Sequence, residues 1–245
     1  MRRRAWACAL LLAAVAAPSL AARGPLRILG ADIAPLYFER NGVVTGFCAE
    51  VTREIQRRIG DRTAMQVVPW ARAYRTALAG ENVILVCPKR TAERDPHFQW
   101  IGPVLESRTN LYALRESRIR LATLDDARTL SGILLPRDFY SYQYLQDAGF
   151  TNLEPVGSSK TMLNMLLAGR RPAMVVDREQ LPELLAQAGI AEETVEPVLF
   201  LMNIQSYITF PPDAPASLVS KWQQALEQMK RDGSFAKLQK QWLHR

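Results

Sequence analysis

Histidine is nearly absent from this chain of 245 residues: only His97 and His244 occur. Neither stands among cysteines or carboxylates at ligand spacing, so no zinc site is expected. The same scarcity leaves no Ser-His-Asp or Cys-His set for nucleophilic catalysis. Cysteine is sparse too, at Cys8, Cys48 and Cys87. Basic residues are scattered among acids, with no aromatic-studded basic stripe, which argues against nucleic-acid binding. Beyond the first 22 residues no apolar run is long enough to span a bilayer. There is no short repeat and no low-complexity linker. Nothing in the pattern calls for a cofactor.

What is present begins with the N-terminus. Arg2-Arg3-Arg4 form a basic region, Ala5 to Ala17 a short apolar run, and Ser19-Leu20-Ala21 a small-residue cleavage site. Residues 1–22 therefore read as a secretory signal peptide. The run is too short for a membrane anchor and Pro18 breaks it. Cys8 leaves with this segment. So do three of the 31 basic residues, and the net charge falls from +7 to +4, 28 bases against 24 acids. Cys48 and Cys87 remain. Export permits a disulfide between them, and closing a loop of that length is worth roughly 4 kcal/mol. Two buried free thiols are the alternative.

The mature chain alternates strands and helices. Leu26 to Ala31 reads as a strand and Asn41-Gly42 as a turn. Phe47, Val51, Ile55 and Ile59 recur at helical spacing up to Gly60. Strands are expected at Met65 to Val68 and Val83 to Cys87, with a helix from Trp70 to Ala79 between them. After an extended stretch, Phe98 to Leu114, the pattern restarts. Strands at Gly132 to Leu135, Leu153 to Val156 and Ala173 to Val176 alternate with helices, one of them capped by Ser159. A second extended stretch, Val195 to Phe210, precedes two terminal helices. Short links imply right-handed crossovers and mainly parallel sheets. Two α/β units joined by crossings near Ser107 and Gln205 imply a hinge. The expected lobes are 23–107 plus 205–245, and 108–204.

Arg94 follows one buried strand and Asp177 ends another. In an open α/β sheet that edge is where ligands bind. A guanidinium and a carboxylate facing across a cleft can hold the two ends of a zwitterion.

The ordered set of segments resembles the family 3 extracellular solute-binding proteins, the type 2 periplasmic binding proteins of polar amino acid ABC transporters. Leu26-Arg27-Ile28-Leu29-Gly30 is similar to the family's first strand, and Asn41-Gly42, Gly46-Phe47 and Glu50 to its turn and first helix. Pro69-Trp70-Ala71-Arg72-Ala73, Arg90-Thr91-Ala92-Glu93-Arg94 with Phe98, Gly169-Arg170 with Asp177, and Trp222, Asp232-Gly233 and Trp242-Leu243 continue the series. The resemblance covers nearly the whole mature chain. It implies a two-lobed periplasmic-binding-protein type 2 fold, a periplasmic monomer and a small-molecule ligand, an amino acid or organic acid. It also implies a membrane partner, an ABC transporter permease or a sensor.

By resemblance, Arg94 grips the ligand carboxylate and Asp177 its ammonium. Tyr37 and Trp70 are the candidate aromatic walls, and Arg72, Arg137 and Asp138 face the cleft. As first-turn residues, Arg94 and Asp177 would otherwise be a surface arginine and an N-cap. The chain departs from the family at Pro88-Lys89-Arg90 and Pro136-Arg137-Asp138. Lys89, Arg90 and Arg137 would make a more cationic pocket, admitting a dicarboxylate, an acidic amino acid or another anion. An enzyme of cyclohexadienyl dehydratase type is the alternative, with Glu50 or Asp138 as general acid.

Overall fold

The computed structural model describes residues 24–243. The expected signal peptide, residues 1–22, lies outside them. The first strand, β1 (Arg27–Gly30), is followed by a hairpin of β2 (Phe38–Arg40) and β3 (Val43–Thr45). Asn41 and Gly42 turn that hairpin, both at positive φ, 52° and 76°, the backbone a two-residue hairpin needs. Helix α1 (Phe47–Ile59) buries Phe47, Val51 and Ile55 and ends at Gly60, φ 74°. Then come β4 (Met65–Val67), α2 (Trp70–Leu78) and β5 (Val83–Lys89).

The first long extended stretch is β6 (Gln99–Leu114). After it follow β7 (Ile133–Pro136), α3 (Tyr140–Asp147), β8 (Leu153–Val156), α4 (Ser159–Leu167), β9 (Ala173–Asp177) and α5 (Leu181–Gln187). The second is β10 (Val195–Phe210), and α6 (Ala216–Arg231) and α7 (Ser234–Trp242) close the chain. Ser158 caps α4, its side chain accepting from the Thr161 amide. The expected cap, Ser159, is instead the first helical residue.

The sheet order is β4-β1-β5-β10-β6-β9-β7-β8. Strands β1, β4 and β5 pair in parallel, as do β7, β8 and β9. Between these groups β6 and β10 pair antiparallel along their whole length, with Ser107 opposite Ile204 and Glu106 opposite Gln205. The two crossings are thus one ribbon that fuses both sheets. Each sixteen-residue extended segment exposes two rows of N–H and C=O groups: pairing with each other satisfies one row of each, and β5 on β10 and β9 on β6 take up part of the other.

The cores divide along this ribbon. One holds Ile28, Ile55, Ile84, Leu105, Ile208, Phe210 and Trp222, with α6 and α7 packed on it. A second holds Leu29, Ala73, Leu85 and Phe98, and two more hold Leu111, Ile133, Leu145 and Val175, and Leu134, Leu163, Met174 and Leu185. Between them the ribbon buries the polar residues Ser107, Thr109, Asn110 and Ser206.

A small ion-pair network ties α1 to the α6–α7 turn. Glu54 accepts from Arg57 and Arg58, both at 2.7 Å, and Arg58 also meets Asp232 at 2.7 Å. The hydrogen bond from Arg57 is the main cause that lowers the Glu54 pKa from its ordinary 4.5 to about 2. A folded pKa below the unfolded one gives stability above the unfolded value, lost as pH falls through the folded one. Glu54 and Arg58 are part-buried and Arg57 is exposed to solvent, which screens the pair that dominates the shift, so the contribution is about 1 kcal/mol or less. Thermal melts of Glu54→Gln should show a shallower acid decline of Tm than the parent between these two pH values. Parallel declines would mean the network contributes nothing.

Candidate functional site

The C-terminal ends of β5 and β9 meet across the fold. Strand β5 carries a bulge there: Val86 and Lys89 face Ile208 and Ser206, three residues' advance against two. Cys87 in this bulge has φ 60°. A bulge breaks the alternation of side chains and re-aims those after it. Here it brings Cys87 against the core that Ile84 and Val86 already face, where it is bonded to Cys48. It also delivers Lys89 to the junction with β9.

One cavity lies at this junction. Tyr37, Trp70, Lys89, Arg94, Phe139, Tyr140, Asp177 and Gln180 line it, with Ile33, Leu36 and Val86 adding apolar wall. The space between the walls is about 490 Å³, mouth included. It is a narrow slot.

Arg94 is 6% exposed. Thr91 starts the turn that presents it, its carbonyl accepting from the Arg94 amide at 3.1 Å. The guanidinium folds back and donates to the carbonyls of Lys89, at 3.3 Å, and Asp138, at 3.5 Å. It lies over Trp70 and Tyr74, 4.8 and 5.0 Å from the ring centroids. Burial lowers its pKa, outweighing the opposing effects of Tyr74, which also hydrogen-bonds it, and of Glu93.

Asp177 is differently served. Its Oδ1 accepts from Thr109 Oγ1 at 2.8 Å and from the Tyr140 hydroxyl. Its Oδ2 accepts from Gln180 Nε2 at 3.1 Å and pairs with Lys89 Nζ at 3.0 Å. Burial, then the Asp177 charge, raises the Tyr140 pKa well above its ordinary value, so the phenol keeps its proton and donates. Asp177 does not cap α5, which starts four residues later with Gln180 as N-cap. Lys89 also donates to Ser107 on the ribbon and sits 5.7 Å from the Tyr140 ring centroid.

Trp70 forms the side wall. It stacks on Tyr74 and meets Phe139 edge-on, and its Nε1 donates to the Asp138 carbonyl at 2.8 Å. Asp138 has φ 60°, which turns this carbonyl towards Trp70 and Arg94. Tyr37 packs on Gly30, where a Cβ would come within 2.4 Å of the ring, and its hydroxyl donates to the Gln66 carbonyl at 3.3 Å.

Of the residues expected at the site, the structure gathers Arg94, Asp177, Tyr37 and Trp70 in one cavity. Arg72 and Arg137 are exposed and do not line it. Asp138 takes part through its carbonyl alone. Of the expected extra cations only Lys89 reaches it. Arg90 pairs with Asp95 at 2.6 Å and lies over Trp100 and Tyr207. Glu50, the candidate general acid, pairs with Arg53 and accepts from Thr45, away from the slot. Tyr140, Gln180, Phe139 and Thr109 were not anticipated. Among the described residues no His, Cys, Asp and Glu cluster is placed to hold a metal ion, and no helix is long and apolar enough to cross a membrane.

Comparison with known proteins bears on all but the N-terminal part of the chain. The family described as "Bacterial extracellular solute-binding proteins, family 3" matches residues 28–245. Curated protein sequences give no match. Among solved structures, a histidine kinase sensor domain with similarity to periplasmic binding proteins has a TM-score of 0.81 at 20% identity, covering 90% of this chain and 97% of its own. The arginine-, lysine-, histidine-binding protein ArtJ of Geobacillus stearothermophilus has 0.77 at 16%, covering 90% and 96%. The GluR0 ligand-binding core from Nostoc punctiforme, in complex with L-glutamate, has 0.77 at 21%, covering 90% and 100%. These identities speak for the two-lobed fold and no further.

Proposed function

The chain belongs to the bacterial extracellular solute-binding proteins, family 3, and from that premise we propose that it is exported, captures a small carboxylate-bearing solute between its lobes, and delivers it to an ABC permease. The observation behind this reading is Arg94. A buried guanidinium has five N–H donors, and its hydrogen-bond partners are two carbonyls, at 3.3 and 3.5 Å, and the Tyr74 side chain, which leaves capacity for a carboxylate. Its planar fork fits both oxygens at once.

The lobes are residues 23–107 plus 205–245, and 108–204, with the hinge in the ribbon at Ser107 and Gln205. Trp70 Nε1 to the Asp138 carbonyl and Lys89 to Asp177 then hold the closed state across the cleft. A solute that touches both walls shifts the population towards closure by its differential affinity.

A thermal-shift panel of amino acids and organic acids against the processed protein tests the function. At a hundred times its Kd, a captured solute adds about 2.7 kcal/mol of stability. No shift for any compound would count against capture. Arg94→Lys keeps the charge but loses the fork. It should weaken the best solute about tenfold, 1.4 kcal/mol, by calorimetry. Equal affinity would remove Arg94 from the site.

A further inference from the structure

We propose that the cavity takes a carboxylic acid without an ammonium group, one with an apolar or aromatic body. This rests on the reading that the slot captures a carboxylate, and it names the class.

A zwitterion needs an acceptor for its ammonium as well as a donor set for its carboxylate. Among the described residues Asp177 is the one carboxylate lining the cavity. The protein's own groups crowd both its oxygens: Lys89 and Gln180 meet Oδ2, and the Thr109 and Tyr140 hydroxyls, themselves 2.7 Å apart, meet Oδ1. Lys89 Nζ, at 3.0 Å, stands where a ligand ammonium would have to go. Displacing it would leave a lysine, only 8% exposed, without its counter-ion, and a desolvated unpaired charge is strongly unfavourable.

Two of the four lining rings already carry a cation of the protein. Trp70 is covered by Tyr74 and Arg94, and Lys89 already lies over Tyr140. The charge balance points the same way. Lys89, Arg94 and Asp177 sum to one positive charge, which a monoanion cancels and a zwitterion leaves standing. The remaining wall is largely apolar, including Ile33, Leu36, Val86 and Phe139, and accepts hydrocarbon rather than a second charged group.

Calorimetry on the processed protein with matched pairs decides the matter. The pairs are phenylalanine with 3-phenylpropanoate, leucine with 4-methylpentanoate, and tryptophan with indole-3-propanoate. In at least one pair the deaminated acid should bind about tenfold more tightly or better, 1.4 kcal/mol. An amino acid binding more tightly than its acid would overturn the proposed class and leave capture standing. Binding of only polar anions from the wider panel would do the same. No binding by any compound would sink both. Lys89→Met frees Asp177 and removes a positive charge, so it should move the preference towards the amino acid by tenfold or more. Lys89→Arg should keep the parent preference. If Lys89→Met folds and its preference is unchanged, Lys89 is not the internal counterpart of an ammonium.

Discussion

Asp177→Ala should destabilise the fold by about 3–5 kcal/mol, the usual loss when one partner of a buried ion pair is removed. Asp177 and Lys89 are 3% and 8% exposed at their side chains. Without the carboxylate, Lys89 keeps Ser107 as a hydrogen-bond partner but loses its counter-ion. Tyr140 and Thr109 lose the oxygen they share, and Gln180 loses an acceptor. Urea unfolding measures the effect. A double variant, Lys89→Met with Asp177→Leu, should cost clearly less than the sum of its singles, because no orphan charge is left. Additive losses would mean that the two groups do not sense each other. The cycle separates stability from capture, since it needs no ligand.

This pair also shows where the sequence could be read and where it could not. Asn41-Gly42 and Gly60 announce a hairpin and a helix end because backbone geometry at those points favours few residues. Arg94 and Asp177 could be placed because each follows an apolar strand. Pairing of the extended stretches with each other joins residues almost a hundred positions apart, and local pattern does not encode it. Lys89 was legible as a cation but not as the partner of Asp177. Strand alternation through Ile84 and Val86 gives no hint that a bulge comes next. Cys87 at φ 60° is a conformation few non-glycine residues adopt, so nothing in its identity announces it. Tyr140 opens α3, and only the tertiary fold brings its hydroxyl to Asp177. Arg72 and Arg137 were placed by analogy of segment, and helix phase and strand-end geometry turn them outward.

Loss of the Cys48–Cys87 bond should cost about 4 kcal/mol, from loop-closure entropy at a separation of 39 residues. Cys48 stands in the first turn of α1 and Cys87 in the bulge of β5. The bond therefore clamps helix to strand beside the slot that Cys87 lines. A Cys48→Ala, Cys87→Ala double variant and the reduced parent should unfold at the same urea midpoint, well below that of the oxidised parent. The urea slope should rise as well, because an uncrosslinked unfolded chain exposes more surface. A difference under about 1 kcal/mol would mean that strain or residual unfolded structure cancels the entropy gain. Against the 5–15 kcal/mol usual for a native fold, 4 is a large share. On the proposed exported route, thiols stay reduced inside the cell and oxidise outside it. The chain would then gain much of its stability, and a fixed wall for its slot, only in the compartment where it meets its solute.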